Sequence, residues 1–272
     1  MPKASIDGIE IYYEVHGSGP PVLLVAGLGG EGAYWHPQIG PLSQHFQIIV
    51  HDHRGTGQST ASNAKVSVER MAKDLVGLMD ALSIERAHLI GHSTGGAIGQ
   101  VMGIEHSDRL RSLVVYASWV KSDPFMLRLM EARKAIALYA GAAAYIRATP
   151  LFLYPDWWIN AHHKSLDAAV AKNVLTFPDP KVMAQRIDAI LAFDRSSELG
   201  EITTPTLVLC AEDDFLTPPY ASRDVAARIP GAKLVVASKG GHAYSQTMPA
   251  EFNQIVIDHI LDYERENKAV FT

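Results

Sequence analysis

The sequence predicts an α/β chain built on a mostly parallel central sheet, and three observations carry that prediction. Continuous apolar runs of strand length recur at Pro21 to Ala26, Phe46 to Val50, Ala87 to Ile90, Leu113 to Tyr116, Thr206 to Cys210 and Lys233 to Ala237, the pattern of strands covered on both faces. Segments of helical periodicity lie between several of them, as parallel neighbours require. At the end of the third run, Gly91-His92-Ser93-Thr94-Gly95 stands between strand and helix, a G-x-S-x-G pattern suited to a sharp strand-to-helix turn.

Taken in order, the chain should open with an antiparallel hairpin. Asp7-Gly8 is a turn signal, and Ile9, Ile11, Tyr13 and Val15 alternate after it with Glu10, Tyr12 and Glu14. Met71, Leu75, Leu78, Met79 and Leu82 keep one face of a helix apolar, and Phe252, Ile255, Val256 and Ile260 do the same near the C-terminus. From Val120 to Arg195 the alternation breaks into an alanine-rich, helical stretch carrying Tyr139, Tyr145, Phe152, Tyr154, Trp157 and Trp158. The chain therefore divides into a core, 1–119 and 196–272, and an inserted helical cap, 120–195, that would exclude water and supply specificity walls. Aromatic stripes by default form a cap's own small core. Trp119, Phe152, Tyr154, Trp157 and Trp158 are the expected exceptions, facing substrate.

Composition bounds the partners. With 272 residues, 47% hydrophobic and 19% charged, the chain can bury a full core as one α/β domain with an insertion. A formal charge of -5, with no basic run longer than two residues, argues against nucleic acid or anionic membrane as partner. The longest apolar stretches are strand-sized, and Met1-Pro2-Lys3-Ala4-Ser5 lacks a signal peptide's apolar centre, so a cytoplasmic protein acting on a small molecule is expected. The single cysteine, Cys210, excludes an internal disulfide and reads as a packing residue of a buried strand. Composition leaves the oligomeric state open, a homodimer included.

The chemistry is read from Ser93 outward. A serine hydroxyl becomes a useful nucleophile only beside a base and in front of N–H groups that can receive an oxyanion. Glycines two residues either side, Gly91 and Gly95, allow strand and helix to close on each other, and Ser93 is expected in a strained backbone conformation. Partners should follow in the order acid, histidine. After Thr206 to Cys210 comes Glu212-Asp213-Asp214-Phe215-Leu216-Thr217-Pro218, and after Lys233 to Ala237 comes Gly240-Gly241-His242. Asp214, four residues before Pro218, is preferred over Asp213 as the acid, and His242 is the base. Ser93, Asp214 and His242 all fall at the C-terminal ends of strands, where open α/β sheets place their sites. The oxyanion donors expected are the N–H groups of Thr94 and of Leu28, the latter from the loop Ala26-Gly27-Leu28-Gly29-Gly30. This chemistry calls for no metal and no organic cofactor.

The same loop also fits a rival pattern. Gly27-Leu28-Gly29-Gly30-Glu31-Gly32 satisfies G-x-G-x-x-G after a strand, and Asp52 stands where a dinucleotide fold keeps its ribose-binding acid. Tyr34, Trp35 and Pro37 make a poor helix opening, and this reading leaves Ser93, Asp214 and His242 without a role. His36, His45, His51 and His53 lack the i, i+4 pairing of a helical zinc motif, and the adjacent His162 and His163 diverge on a helix. Arg128, Arg133, Arg147 and Arg186 are solvated charges by default, although one could project inward and hold a substrate carboxylate.

Gly91-His92-Ser93-Thr94-Gly95-Gly96, Asp52-His53-Arg54-Gly55-Thr56-Gly57-Gln58-Ser59 and Gly241-His242 together resemble the α/β-hydrolase superfamily over nearly the entire length. Within it the chain looks most like RutD-type hydrolases of pyrimidine breakdown, through Ala26 to Gly30, Tyr34-Trp35, Arg54 to Gly57 and Pro150-Leu151-Phe152-Leu153-Tyr154-Pro155. It is also similar to 3-oxoadipate enol-lactonases along Gly95 to Gln100. The resemblance implies an aminoacrylate, carbamate or enol-lactone substrate. The residues themselves imply a serine hydrolase of a small carboxylic ester, lactone or amide, with a non-catalytic ligand-binding module and perhydrolysis as alternatives.

Overall fold

The computed structural model describes residues 2–61 and 65–268. Eight strands, β1 (Lys3–Ile6), β2 (Ile9–His16), β3 (Pro21–Val25), β4 (Gln47–His51), β5 (Ala87–His92), β6 (Leu110–Tyr116), β7 (Thr206–Ala211) and β8 (Lys233–Ala237), form one sheet in the order β1-β2-β4-β3-β5-β6-β7-β8. β2 runs antiparallel to both β1 and β4, and every other pairing is parallel. Asp7 and Gly8 both hold positive φ, 47° and 78°, as a tight hairpin turn between right-twisted strands requires.

The uninterrupted apolar runs have a direct cause in this arrangement. Leu23, Val25, Leu89, Leu113, Val115 and Val208 face one core, completed by α2 (Val68–Ala81) and α3 (Thr94–Glu105). Their neighbours Val22, Leu24, Ile90, Val114, Leu207 and Leu209 face the opposite one, completed by α1 (His36–Ser43) and α10 (Pro249–Lys268) through Leu42, Phe252, Val256 and Ile260. Ser67 caps α2 by accepting from the Arg70 N–H at 3.1 Å. A buried bidentate pair, Arg54 with Asp74, ties the loop after β4 to the middle of that helix.

Two strand expectations are corrected. The alternation in β2 holds for Ile9, Glu10 and Ile11 and then fails, with Tyr12 buried and Val15 42% exposed. β2 changes partner there, from β1 through Tyr12 to β4 from Tyr13 onward. β8 is an edge strand, and Lys233 and Leu234 lie exposed rather than covered on both faces.

Between β6 and β7 run α4 (Pro124–Ala135), a π turn at Ile136–Ala140, α5 (Gly141–Leu153), α6 (Asp156–Thr176) and α7 (Pro180–Ala192), with a bridge between Lys121 and Asp194 at the neck. Here the expectation that apolar stretches are only strand-sized is corrected. The helical run Pro124–Leu153 is long and apolar enough to cross a bilayer by length and composition, yet it is broken at Gly141, whose φ is 82°. The remaining helices are α8 (Pro219–Arg228) and the short α9 (Tyr244–Thr247).

Candidate active site

Ser93 sits between the last residue of β5 and the first of α3 with φ 55° and ψ -113°, a conformation that side chains rarely tolerate. The turn is that tight because backbone crosses backbone. A Cβ on Gly91 would lie 2.1 Å from the Gly95 carbonyl oxygen, and one on Gly95 would lie 2.1 Å from the Val25 carbonyl oxygen. The serine's own backbone is fixed on both sides, its N–H donating to the Tyr116 carbonyl at 2.8 Å and its carbonyl accepting from Ser118 Oγ at 2.9 Å.

Asp214 lies in the turn that leaves β7, and His242 in the loop that leaves β8. The His242 Nδ1–H faces the Asp214 carboxylate, 2.9 Å from Oδ2 and 3.2 Å from Oδ1. Thr217 steadies that carboxylate from the other side, its N–H donating to Oδ1 at 2.9 Å and its hydroxyl to Oδ2 at 3.0 Å. Asp213 points elsewhere and accepts from the Gly241 N–H at 2.8 Å. With Nδ1 committed to the carboxylate, His242 Nε2 is the nitrogen left for a proton, and it is buried without a partner. Ser93 and His242 line the same cavity. Among the described residues the Ser93 hydroxyl makes no hydrogen bond to that nitrogen.

Behind the ring, the His242 carbonyl accepts from Tyr116 Oη at 2.9 Å and from His92 Nε2 at 3.1 Å. A carbonyl only accepts, so His92 carries its proton on Nε2. Burial, reinforced by the nearby His242, holds the His92 pKa well below the ordinary value, and Tyr34 stacks flat on it with centroids 4.5 Å apart.

The loop after β3 turns on a bond from the Gly30 N–H to the Gly27 carbonyl at 3.0 Å. The Leu28 and Thr94 N–H groups have no hydrogen-bond partner among the described residues. The Asp52 carboxylate accepts from the Gly32 and Gln58 N–H groups, both at 2.8 Å, and so clamps two loops together.

The cavity measures about 290 Å³ and is lined from the sheet by residues 26–31, Tyr34, His92, Ser93, Leu216 and His242, and from the helices by Met130, Arg133, Tyr145, Thr149, Leu153 and Met183. None of the five aromatics expected to face substrate is among them. Trp119 is buried edge-on against Phe193. Phe152 lies beneath the Arg133 guanidinium, 4.8 Å from ring centre to Cζ. Tyr154 stacks on Trp158, which stacks on His162, and Trp157 is 39% exposed beside Lys239. Tyr154 also lines an adjoining cavity that shares Tyr145, Thr149, Leu153 and Met183 with this one.

The arginines divide. Arg128 and Arg147 are exposed, whereas Arg133 is 4% and Arg186 1% exposed. Both buried ones were legible in principle, since Met126, Met130 and Arg133, and likewise Met183, Arg186 and Ile190, share one helical stripe. Arg133 Nη2 donates to Tyr145 Oη at 3.1 Å, and its Nε is buried without a partner. Arg186 Nε donates to the Leu28 carbonyl at 2.8 Å, and burial lowers its pKa to about 10.

A family model described as the alpha/beta hydrolase fold matches residues 20–245. A relative named as a RutD carbamate hydrolase from Azorhizobium caulinodans is 41% identical over 257 residues, spanning 94% of this chain and 97% of its own. Another of that name from Caulobacter sp. strain K31 is 42% identical over 266 residues, spanning 96% and 98%. Among solved structures, the enol-lactonase from Burkholderia xenovorans LB400 superposes with a TM-score of 0.87 at 28% identity, covering 96% of this chain and 100% of that one.

Proposed function

The chain belongs to the α/β-hydrolase family, and from that premise we propose that it hydrolyses a small-molecule carboxylic ester, lactone or amide through an acyl-enzyme on Ser93. The observation that carries this reading is the buried His242–Asp214 pair at 2.9 Å, opening on the same cavity as the strained elbow serine. His242 Nε2 takes the Ser93 proton as Oγ attacks the carbonyl carbon, and Asp214 holds the tautomer and stabilises the imidazolium. The tetrahedral oxyanion is received by the Leu28 and Thr94 N–H groups, each of which contributes about 2.7 to 4 kcal/mol in comparable sites. His242 returns the proton to the leaving group, then activates water to release the acyl group. In this reading the Ser93 Oγ to Nε2 hydrogen bond forms when substrate binds, as catalytic hydrogen bonds often tighten only then.

The names of the relatives favour carbamate as a second substrate, since the same steps on a carbamate carbonyl give a carbamoyl-enzyme. Arg133, a buried cation in the cavity wall without a carboxylate partner among the described residues, supports a substrate bearing an anionic group. The helices of 120–195 act in this reading as a cap, closing the cavity with the six side chains from Met130 to Met183.

The test is Ser93→Ala assayed with p-nitrophenyl acetate, a lactone and a carbamate. Turnover should vanish with the melting temperature unchanged. Activity surviving in the variant overturns the nucleophile, and a burst without steady turnover in the wild type would instead favour a ligand-binding module.

A further inference from the structure

Arg186 belongs to α7 in the helical insertion, yet its guanidinium is spent on the loop that follows β3 in the core. Nε donates to the Leu28 carbonyl at 2.8 Å, and Nη2 donates to His53 Nδ1 at 3.0 Å. The side chain is 1% exposed, Nη1 is buried without a partner, and no carboxylate lies within ion-pair distance of it among the described residues. An arginine held this way gains none of the Coulomb energy that normally compensates burial, so its placement calls for another reason. The fit around it is close. A Cβ on Gly30 would come within 2.6 Å of Nη2 and 2.9 Å of Thr56 Oγ1, and Thr56 Oγ1 and the His53 N–H bond the Gly30 carbonyl at 2.9 and 2.7 Å.

We propose that Arg186 is a positioning residue for the oxyanion hole, fixing the Gly27 to Gly30 turn through the Leu28 carbonyl so that the Leu28 N–H stays aimed into the cavity. The inference rests on the hydrolase reading above. Two physical effects follow. The peptide planes either side of Leu28 are coupled through its Cα, so anchoring the carbonyl limits the swing of the N–H, and donors held in place before reaction give the largest transition-state stabilisation. The unneutralised guanidinium, bound to that carbonyl, also puts positive potential behind a site where negative charge develops. The helical insertion then does more than cover the cavity: through Arg186 it also anchors the core loop that carries the Leu28 N–H.

The experiment compares wild type, Ser93→Ala, Arg186→Met and Arg186→Lys in steady-state turnover of p-nitrophenyl acetate and in inhibition by phenylboronic acid, whose adduct with a serine places an oxygen in the oxyanion hole. Arg186→Met should lower kcat by at least about tenfold, leave KM within about threefold and weaken boronate inhibition by the same factor as kcat. Arg186→Lys, keeping one donor and the charge, should recover part of both losses. A merely structural arginine would change the melting temperature and the fraction of active enzyme while leaving boronate inhibition unchanged. Equal kcat and equal inhibition in a folded Arg186→Met variant overturn the proposal. Should that variant not fold, Arg186→Lys carries the same two readouts, and wild-type values for both overturn it as well. Wild type without turnover, or an active Ser93→Ala, would mark failure of the hydrolase reading instead.

Discussion

His242 and Asp214 meet through Nδ1 and Oδ2 at 2.9 Å with both side chains sealed from solvent, while Asp213, one residue earlier, turns to the Gly241 N–H. Two adjacent carboxylates thus hold two different jobs. Asp214→Asn should lower kcat by about 10⁴, because an amide nitrogen can face Nδ1 and favour the wrong tautomer. Asp213→Asn keeps an oxygen for the Gly241 N–H and should cost less than about tenfold. Steady-state kinetics on the two variants check the order, and the reverse order would move the acid by one position.

Arg133 gives a prediction about selectivity. Arg133→Met should raise KM for a carboxylate-bearing ester by about tenfold or more while leaving a neutral ester of the same size within about threefold, the loss expected for a charge-assisted pair of about 1.5 to 3 kcal/mol. Equal changes for both substrates would assign Arg133 to packing on Phe152 and Tyr145.

The elbow's glycines make a stability prediction. Gly95→Ala places a Cβ 2.1 Å from the Val25 carbonyl oxygen, a backbone atom that cannot rotate away, and should destabilise by more than about 3 kcal/mol. Gly200→Ala, exposed in the turn Leu199–Glu201 with nothing within 4 Å of its Cβ, should be neutral to within about 0.5 kcal/mol. Urea midpoints of the two variants give the comparison.

Stability should also fall on the acid side of neutrality. Burial holds His51 and His88 at pKa about 4, and for His88 this outweighs the opposing pull of Glu264. The unfolded chain, with histidines near 6.5, binds more protons between those values, so each such histidine removes roughly 1.4 kcal/mol per pH unit as pH falls from 6.5 towards 4. Thermal melts from pH 7 to pH 4.5 should show the decline, and His51→Gln should flatten it. A melting temperature constant over that range would contradict the neutral, buried state.

What the sequence determined by itself was whatever local pattern encodes. Strand positions were legible because alternate residues of each run face opposite cores, leaving no polar gaps, and the elbow was legible because Gly91 and Gly95 are demanded by backbone contacts that no other residue survives. Asp214 could be preferred by its spacing, though only the fold brought it to His242 across 28 residues. The part of the cavity wall that comes from the helices of 120–195 was decided by tertiary structure. Trp119 and Trp157 have the chemistry of a substrate wall and lie outside it, while of the four cap arginines, solvated by default with one free to project inward, Arg133 and Arg186 are the two that are buried. Residue type fixes what a side chain can do, but which partners reach it depends on how the helices of 120–195 dock on the sheet, and that docking is a sum of contacts between segments far apart in the chain.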